Sequence, residues 1–357
     1  MDNYRIHRAI SQFGPGKSAG PDEYKPVVLQ NLPESAISFL RCLYNACLQL
    51  TYIPVQWCHS KVIFISKAGK ESHLEPRSFR PICLQSFLYK TFEKLVLWQI
   101  EETAFAQAPL HPRQFAFRKN MSTGNALSES INSIEKNLLW GRFVIAIYLD
   151  IRGAFDNVRT RAIIRALKNR GVESTVLNMY EYYLENRTCE ATLGGSKCLA
   201  KLNQGTPQGG PGSPILGWNN PYDDLLRAYD DTAIEQFGFA DDTHLQISGL
   251  DFGTCFGLAQ NALKIAEDWA QKIGVSFCPN KTAVLFFSRG QWKPTRRLSL
   301  YGKPLNWLED TKYLGVTIDR HLNFQTHINK KIAAAKKKLM ILRHVFDQTW
   351  GPHPKIT

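Results

Sequence analysis

The sequence predicts an α+β fold in which an antiparallel sheet packs on helices, and three observations lead to this prediction. Helical periodicity dominates the early part of the chain and strand-like alternation returns late, so the order differs from the regular alternation of a doubly wound parallel sheet. No Gly-x-Gly-x-x-Gly motif indicates a dinucleotide-binding fold. Residues 143–149 are apolar on both faces, which is typical of a central strand covered on both sides.

Composition and charge exclude several classes of protein. The chain has 357 residues, of which 44% are hydrophobic and 11% aromatic, and these values indicate a folded protein of one large domain or two to three subdomains. Its 44 Lys and Arg against 31 Asp and Glu give a net charge of +13 with His neutral. A chain this basic favours an anionic partner, most commonly a nucleic acid.

The apolar segments and the cysteines indicate an intracellular protein. The chain start has no apolar stretch, and the longest apolar runs are too short to cross a bilayer, so we expect neither secretion nor a membrane anchor. The eight cysteines are scattered, without a Cys-x-x-Cys pair or zinc-finger spacing. They predict free, mostly buried thiols in a reducing compartment.

The first elements lie ahead of the central strand. Residues 14–22 are rich in Gly and Pro, but a Walker loop needs a Gly where Ser11 stands, so we interpret this segment as a turn-rich lead-in. The hydrophobic periodicity then predicts three helices and one strand. The helices cover residues 37–50, 87–104 and 122–140, and the strand covers residues 61–66.

The central strand is predicted to end at Asp150, and the elements after it follow from periodicity and from turn residues. Helices are predicted over residues 158–169, 172–186, 253–272 and 329–344, with Gly171 and Gly274 as helix ends. Strands are predicted in a hairpin over residues 188–203, on both sides of 239–242, and over residues 283–288, 298–301 and 313–318.

Carboxylates carry the strongest chemical signal. Asp150 follows a buried strand, and Asp241 and Asp242 lie at a predicted turn between two strands, so all three are expected at one sheet edge. Like charges that close raise each other's pKa unless a cation neutralises them, and oxygen ligands suit a hard divalent metal. Two such ions, about 3.5–4 Å apart, clamp the attacking and leaving oxygens in phosphoryl transfer. The pattern therefore predicts Mg²⁺-dependent nucleotidyl transfer.

The order of motifs resembles that of reverse transcriptases from non-LTR (LINE-type) retrotransposons, over roughly residues 14–318. Residues 148–156 resemble the first catalytic motif of that family, and residues 239–242 resemble the second. The resemblance implies that Asp150 and Asp241 bind two Mg²⁺ ions, with Mn²⁺ as an alternative ion. It also implies that the backbone carbonyl of Ile151 assists as a metal ligand and that Asp242 supports the site.

Other motifs of the family have counterparts here, and the resemblance implies their roles. In sequence order these are the basic finger motifs, a template segment over residues 114–119, a glycine-rich motif over residues 204–214, a motif at residues 280–282 and a primer-grip turn at residues 313–315. The implied nucleotide-binding residues are Lys67, Arg80, Phe155, Gln208, Gly209 and Lys281. The implied template or primer contacts are Gln114, Arg118, Tyr313, Leu314 and Gly315.

Phe155 bears on the choice of sugar. It lies five residues after Asp150 and matches the aromatic residue that the family places beneath the nucleotide sugar. A bulky ring there clashes with a ribose 2′-hydroxyl, which favours deoxynucleotides and disfavours an RNA-dependent RNA polymerase. The implied partners are an RNA template, a DNA primer and dNTPs, with no membrane and with the oligomeric state left open. The family's way of life implies a nuclear or cytoplasmic location.

The resemblance also implies an architecture. It is a right-hand polymerase with helical and basic fingers, an antiparallel-sheet palm packed on helices, and a short or truncated helical thumb. Residues 1–46 would form the N-terminal lead-in and first fingers helix. Residues 47–320 would form the fingers and palm, and residues 321–357 the start of the thumb helix.

Each signal has a simpler alternative. Asp150 could cap a helix, Asp241 and Asp242 could form an ordinary turn, and Gln208 could belong to an ordinary loop. Asp156 is interpreted as a helix-start residue and not as a third ligand. The acidic residues of segment 223–231 are interpreted as solvated, and the lysines of the last helix could be only an exposed face. An alternative function is a catalytically inactive retroelement remnant that only binds nucleic acid.

Overall fold

The computed structural model describes residues 1–67, 74–290 and 294–343. Helices and strands are mixed along these ranges, which confirms the predicted α+β class. The α-helices are α1 (Asn3–Ser11), α2 (Pro26–Gln30), α3 (Glu34–Gln49), α4 (Phe87–Glu102), α5 (Ala104–Gln107), α6 (Thr123–Leu139), α7 (Ala154–Asn157), α8 (Thr160–Asn169), α9 (Ser174–Glu185), α10 (Asn220–Arg227), α11 (Phe252–Ile273) and α12 (Gln325–Arg343). Short 3-10 turns lie at Val55–Cys58 and Pro76–Ser78, and a π-helical segment spans Ser213–Asn219.

The strands form two larger sheets and two small hairpins. They are β1 (His59–Ser66), β2 (Phe79–Leu84), β3 (Phe143–Arg152), β4 (Thr188–Leu193), β5 (Ser196–Lys201), β6 (Ile234–Phe239), β7 (Asp242–Gly249), β8 (Ser276–Phe277), β9 (Ala283–Phe287), β10 (Ser299–Leu300), β11 (Lys303–Pro304), β12 (Trp307–Leu308), β13 (Asp310–Tyr313) and β14 (Val316–Asp319). The central sheet has the order β12-β9-β3-β7-β6, and β8 pairs with the far end of β3. A second sheet has the order β2-β1-β4-β5, and β10-β11 and β13-β14 are hairpins.

Local sequence explains several of the helix ends. Ser86 and Ser122 cap α4 and α6 by accepting backbone N–H groups two or three residues later. Asp251 caps α11 in the same way, and Gly274 ends that helix with φ +90°. A left-handed residue costs least when it is glycine, which is why this position ends the helix.

The core lies on both faces of β3, as its uninterrupted apolar run predicts. Ile145, Ile147 and Leu149 point into the larger cluster, which also contains the apolar face of α11. The alternate residues point to the other face, where Tyr148 packs with Ile134 of α6. Side chains of a strand alternate between faces, so this one segment joins two layers of core.

Two predictions about elements were wrong, and one helix was missed. The central strand does not end at Asp150 but continues to Arg152, because Asp150 pairs with Asp242 and Ile151 pairs with Phe277. Residues 313–318 are not one strand, since a turn with Leu314 at φ +46° and Gly315 at φ +88° separates β13 from β14. The lead-in also contains α1, whose Ile6, Ala9 and Ile10 are buried.

The predicted hairpin, the strands around the acidic pair and the free cysteines are present. The hairpin β4-β5 turns at the predicted pair of glycines, and β6 and β7 flank the acidic pair. All eight cysteines are free, and six of them are buried. Among the described helices, none is both long and apolar enough to cross a membrane. The predicted last helix begins earlier, at Gln325, and residues 344–357 lie outside the described residues.

Candidate active site at an acidic edge of the central sheet

Pairing between β3 and β7 places two carboxylates opposite each other. Asp150 is the register partner of Asp242, and Asp241 occupies the turn that joins β6 to β7. Like charges directly opposite each other on neighbouring strands are destabilising. The acidic edge therefore lowers the stability of the fold, and packing alone does not explain why these carboxylates lie together.

The turn that carries the acidic pair depends on a buried tryptophan. Ala240 has a positive φ of +55°, a conformation that is unfavourable for a residue with a Cβ atom. The indole Nε1 of Trp218, which is fully buried in the π-helical segment, donates a hydrogen bond to the Ala240 carbonyl at 2.8 Å. This bond fixes the turn immediately before Asp241.

Lys281 neutralises one of the carboxylates. Its Nζ lies 2.8 Å from Oδ2 of Asp150, and this hydrogen bond is the main cause that raises the pKa of Lys281. The backbone also ties the two segments together, because the Cys278 N–H donates to the Asp150 carbonyl at 2.9 Å. A cavity of about 210 Å³ beside this pair is lined by Asp150, Asp242, Lys281 and Tyr313, among others.

The other two carboxylates are not neutralised to the same extent. Both reach solvent, yet the surrounding protein desolvates them, and this is the largest cause of the raised pKa of each. The pKa of Asp242 rises to about 6, with Asp241 and then Asp150 as further causes. For Asp241, the charge of Asp150 adds to the rise, while Arg80 and Lys281 oppose it.

The donor set suits a hard divalent cation, because it consists of carboxylates whose repulsion a cation would relieve. In the described ranges, no group of three or more His, Cys, Asp or Glu side chains is gathered into a ready metal cage. Mg²⁺ commonly takes only one or two carboxylates and completes its shell with water and substrate phosphates. The side chain of Ile151 is a hydrocarbon without a donor atom, so the backbone carbonyl is the ligand that this residue could offer.

Phe155 lies in an aromatic row beside the acidic edge. Its ring is 6.1 Å from that of Trp218 in a stacked arrangement and 6.4 Å from that of Phe117 in an edge arrangement. Phe155 is half-buried, whereas Trp218 is fully buried. Phe155 is therefore held between Phe117 and Trp218, and part of its ring faces solvent.

The glycine-rich loop, defined here as residues 204–213, is bonded to two parts of the molecule. The side chain of Gln208 donates to Oδ1 of Asp156 at 2.9 Å, and its backbone carbonyl accepts the Cys83 N–H at 2.8 Å. The Thr206 N–H donates to the Phe155 carbonyl at 2.7 Å. Gly209 has φ +122°, and a Cβ there would lie 2.9 Å from the Cys83 carbonyl oxygen. The loop thus joins the second sheet to α7.

The remaining predicted site residues lie at different depths. Arg80 in β2 is exposed and acts on Asp241 through its charge, and the Lys67 N–H donates to the Ser78 carbonyl at 2.8 Å. Gln114 is fully buried, with its Oε1 accepting the Ala116 N–H. Arg118 donates to the carbonyls of His111, at 2.7 Å, and Gln114, at 3.1 Å.

The predicted primer-grip turn reaches the same region from another hairpin. Tyr313 is 4% exposed, and its ring lies 5.0 Å from that of Tyr148. Leu314 packs against the small cluster around Phe115. Gly315, with φ +88°, completes the turn and is exposed.

The prediction that the acidic residues of segment 223–231 are solvated was wrong for Asp223. Asp223 is fully buried, and its carboxylate accepts bonds from Arg170 and Arg227 at 2.6 Å each. Asp231 is exposed, as the sequence suggested, and Asp230 pairs with His111 at 2.8 Å. The physical reason is that Arg170, 53 residues away, supplies the charge that lets Asp223 be buried.

Two residues important for the geometry were missed. Trp218 supports both the acidic turn and Phe155, and Arg187 is a buried arginine whose guanidinium donates to the carbonyls of Gln204 and Gly205 at 2.8 and 2.7 Å. A single Arg or Trp in a sequence gives no sign of such a role. The Gly and Pro residues near Trp218 were the available signal for that position, and Arg187 has no such neighbours in the sequence.

Comparisons with known proteins identify similar sequences and a similar fold. A family model described as reverse transcriptase (RNA-dependent DNA polymerase) matches residues 65–318. The chain is 22% identical over 99% of its length to a putative 115 kDa protein of the retrotransposable element R1DM, and 27% identical over 94% of its length to the RNA-directed DNA polymerase of the mobile element jockey, both from Drosophila melanogaster. It covers 34% and 37% of these two proteins, so it spans about a third of the length of the curated relatives it matches.

A solved structure with a similar fold is that of apo telomerase from Candida tropicalis, truncated from its C-terminal domain. The TM-score is 0.52 at 13% sequence identity, over 82% of this chain and 60% of that one. At this identity the similarity concerns the fold alone, and it supports a polymerase fold for the mixed sheet and helices described above.

Proposed function

The chain belongs to the reverse transcriptase family, and on that basis we propose that it is an RNA-directed DNA polymerase. The reaction would add deoxynucleotides from dNTPs to the 3′-hydroxyl of a DNA primer paired with an RNA template. Its relatives come from retrotransposable elements, so we also propose that it acts as the polymerase segment of a non-LTR retrotransposon protein.

One observation carries the proposal. Asp150 and Asp242 face each other across β3 and β7, with Asp241 in the adjoining turn and the ammonium of Lys281 on Asp150. A protein gains no stability from such a concentration of like charge, so a function that needs a cation there is the best explanation.

We propose Asp150, Asp241 and the carbonyl of Ile151 as ligands of two Mg²⁺ ions, or of Mn²⁺. Bound there, the ions would make the primer 3′-hydroxyl more acidic and neutralise charge on the phosphates. The primer oxygen would attack the α-phosphorus in line, and pyrophosphate would leave as that bond forms. Asp242 would support the two ligands through its place opposite Asp150.

The nucleotide would lie between the acidic edge and the glycine-rich loop. Arg80, Lys67 and Lys281 would neutralise the triphosphate, since cationic side chains are strong partners of phosphate oxygens. Gln208 and Gly209 would contact the nucleotide from the loop. Phe155 would exclude a ribose 2′-hydroxyl from its supported position between Phe117 and Trp218.

Template and primer contacts follow from the same arrangement. Tyr313, Leu314 and Gly315 form a turn beside the cavity at Asp150, a suitable position for gripping a primer end. Gln114 and Arg118 would act on the template mainly by shaping the segment between them, because Gln114 is buried and Arg118 is bonded to carbonyls. In this proposal residues 1–46 form the lead-in and first fingers helix, and residues 47–320 form the fingers and palm. Residues from 321 onward begin the thumb.

The proposal is tested by primer extension on an RNA oligonucleotide template with dNTPs and Mg²⁺. Asp241→Ala should abolish extension, whereas Asp231→Asn, an exposed acid at the opposite end of β6, should leave it unchanged. A parallel reaction with NTPs should give little product, and Phe155→Ala should raise ribonucleotide use. Equal use of NTPs by the unmodified protein would argue for an RNA polymerase.

A second function has one sequence feature in its favour, the net charge of +13, which suits nucleic-acid binding without catalysis. In that case the unmodified protein would bind primer-template in a salt-dependent way and would extend nothing. Extension that Asp241→Ala removes would exclude this alternative.

A further inference from the structure

A cluster of buried polar groups lies beneath the glycine-rich loop. Glu93 of α4 is 3% exposed, and Gln85 and Ser213 are at most 1% exposed. Considering only described residues, both carboxylate oxygens of Glu93, Oε1 of Gln85 and Oγ of Ser213 have no hydrogen-bond partner of normal geometry. Buried polar atoms of this kind are rare in native proteins, so this cluster requires an explanation.

Two glycines of the loop lie directly against Glu93. A Cβ atom on Gly212 would be 2.9 Å from Oε1 of Glu93, and a Cβ atom on Gly210 would be 3.1 Å from its Oε2. Real Cβ atoms do not approach other atoms as closely as 2.9 Å. These two glycines therefore make room for a protein side chain below the loop, and not only for a ligand above it.

The rest of the loop has other supports. Arg187 binds the carbonyls at its start, and the Cys83 N–H binds the carbonyl of Gln208. The Leu216 N–H donates to the Gly212 carbonyl at 2.8 Å and so holds the end of the loop. Between these fixed points, the backbone of Gly212 rests on Glu93, and that of Gly210 rests on Glu93 together with Ser213 and Gln85.

We propose that Glu93 is a positioning residue for the incoming nucleotide, because its buried side chain fixes the backbone position of residues 210–212 and thereby the position of Gln208. The inference rests on the proposed polymerase function. Glu93 touches neither substrate nor metal in this proposal; it acts through the loop. A change in its size or charge should alter nucleotide binding before it alters primer-template binding.

The charges around Glu93 support a role that depends on protonation. Burial is the main cause that raises the pKa of Glu93, to about 7, while the Gly212 amide, Lys90 and Arg187 oppose the rise. The groups that face it from the elements packed around it are Lys90 and Tyr89 of α4, Tyr180 and Tyr183 of α9, and Arg187. Near neutral pH, Glu93 thus changes between a neutral side chain and a charged one beneath the loop.

The experiment compares the unmodified protein with Glu93→Gln, Glu93→Asp, Gly212→Ala and the double variant Glu93→Asp/Gly212→Ala. Gly257→Ala is the matched control, because a Cβ on this exposed helical glycine meets nothing within 4 Å. For each protein, the KM for dNTP and the kcat are measured by primer extension between pH 6 and pH 8.5. Primer-template affinity and thermal melting are measured alongside.

We expect Gly212→Ala to raise the KM for dNTP about tenfold, equivalent to about 1.4 kcal/mol, with primer-template affinity unchanged. Shortening Glu93 by one methylene group in the double variant should recover most of that loss. Glu93→Gln should keep extension but lose the change in KM that the unmodified protein shows near pH 7. Gly257→Ala should match the unmodified protein in the KM for dNTP and in primer-template affinity, and it should melt slightly higher because Ala stabilises an exposed helical position relative to Gly.

The inference is overturned if the two changes in the double variant are additive, or if Glu93→Gln leaves the pH profile of KM unaltered. If the unmodified protein extends no primer, the polymerase proposal fails instead. The melting temperatures then still decide whether Glu93 supports the loop, because a steric contact makes Gly212→Ala destabilising and Glu93→Asp compensating. Additive melting shifts in that cycle would reject the contact itself.

Discussion

Replacing Asp223 by Asn should strongly destabilise the protein, although Asp223 stands in a polar stretch of sequence. Its side chain is 1% exposed and accepts bonds at 2.6 Å from Arg170 and from Arg227. It also accepts the backbone N–H of His111. Because Arg170 is itself only 8% exposed, the Asn variant leaves a buried guanidinium without its counter-charge.

Removing one partner of a buried ion pair costs about 3–5 kcal/mol. In a domain of this size each kcal/mol lowers the melting temperature by roughly 2–4 °C, so Asp223→Asn should melt on the order of 10 °C lower. Asp231→Asn, at an exposed position four residues after Arg227, should change stability by less than about 0.5 kcal/mol. Urea unfolding and thermal melting at pH 7 measure both variants. A loss below about 1 kcal/mol for Asp223→Asn, as for an exposed ion pair, would refute the reasoning.

Three further predictions concern the site and the loop. Since the pKa of Glu93 rises from 4.5 to about 7 on folding, the folded protein retains a proton that the unfolded chain has lost between these pH values, so stability falls as pH rises through this window. Urea unfolding at pH 5 and pH 8.5 should show that Glu93→Gln removes about 3 kcal/mol of this fall, and an equal fall in both proteins contradicts it. Trp218→Phe removes the hydrogen bond to Ala240 and should cost about 1–3 kcal/mol in unfolding and lower kcat, whereas unchanged kcat would show that the turn does not need this bond. Lys281→Met should raise the KM for dNTP about tenfold while melting stays within about 2 °C, because the Lys281 side chain is 65% exposed; a large melting shift would mean a structural role instead.

The central strand and its acidic end show how far the sequence alone leads. An apolar run without alternation is enough to predict β3, and two β-rich segments around a short acidic turn are enough to predict β6 and β7. The pairing of Asp150 with Asp242 is a contact between residues 92 positions apart, so no local pattern encodes its register. The same limit explains why the strand was expected to end at Asp150.

Asp223 and Arg187 illustrate a different limit. Charged residues are seldom buried, so an Asp in a polar stretch is reasonably expected to be solvated. Whether it is buried depends on a partner elsewhere in the chain, which the sequence does not identify. Helix α1 differs from these cases, because Ile6, Ala9 and Ile10 have helical spacing behind a capping Asp2, and this pattern was available in the sequence.

The glycine-rich loop has one role that the sequence predicts and another that only the structure shows. Gly209 was predicted to contact a nucleotide, and it is exposed in the loop. Yet the closest obstacles to a Cβ on Gly209, Gly210 and Gly212 are atoms of the protein, from Cys83, Ser213 and Glu93 respectively. The glycines therefore also serve the fold, by letting the loop lie against the second sheet and α4. In the proposed function, the loop forms part of the substrate surface and rests on buried side chains. Changes at buried Glu93 should therefore affect nucleotide binding without direct contact between Glu93 and the nucleotide.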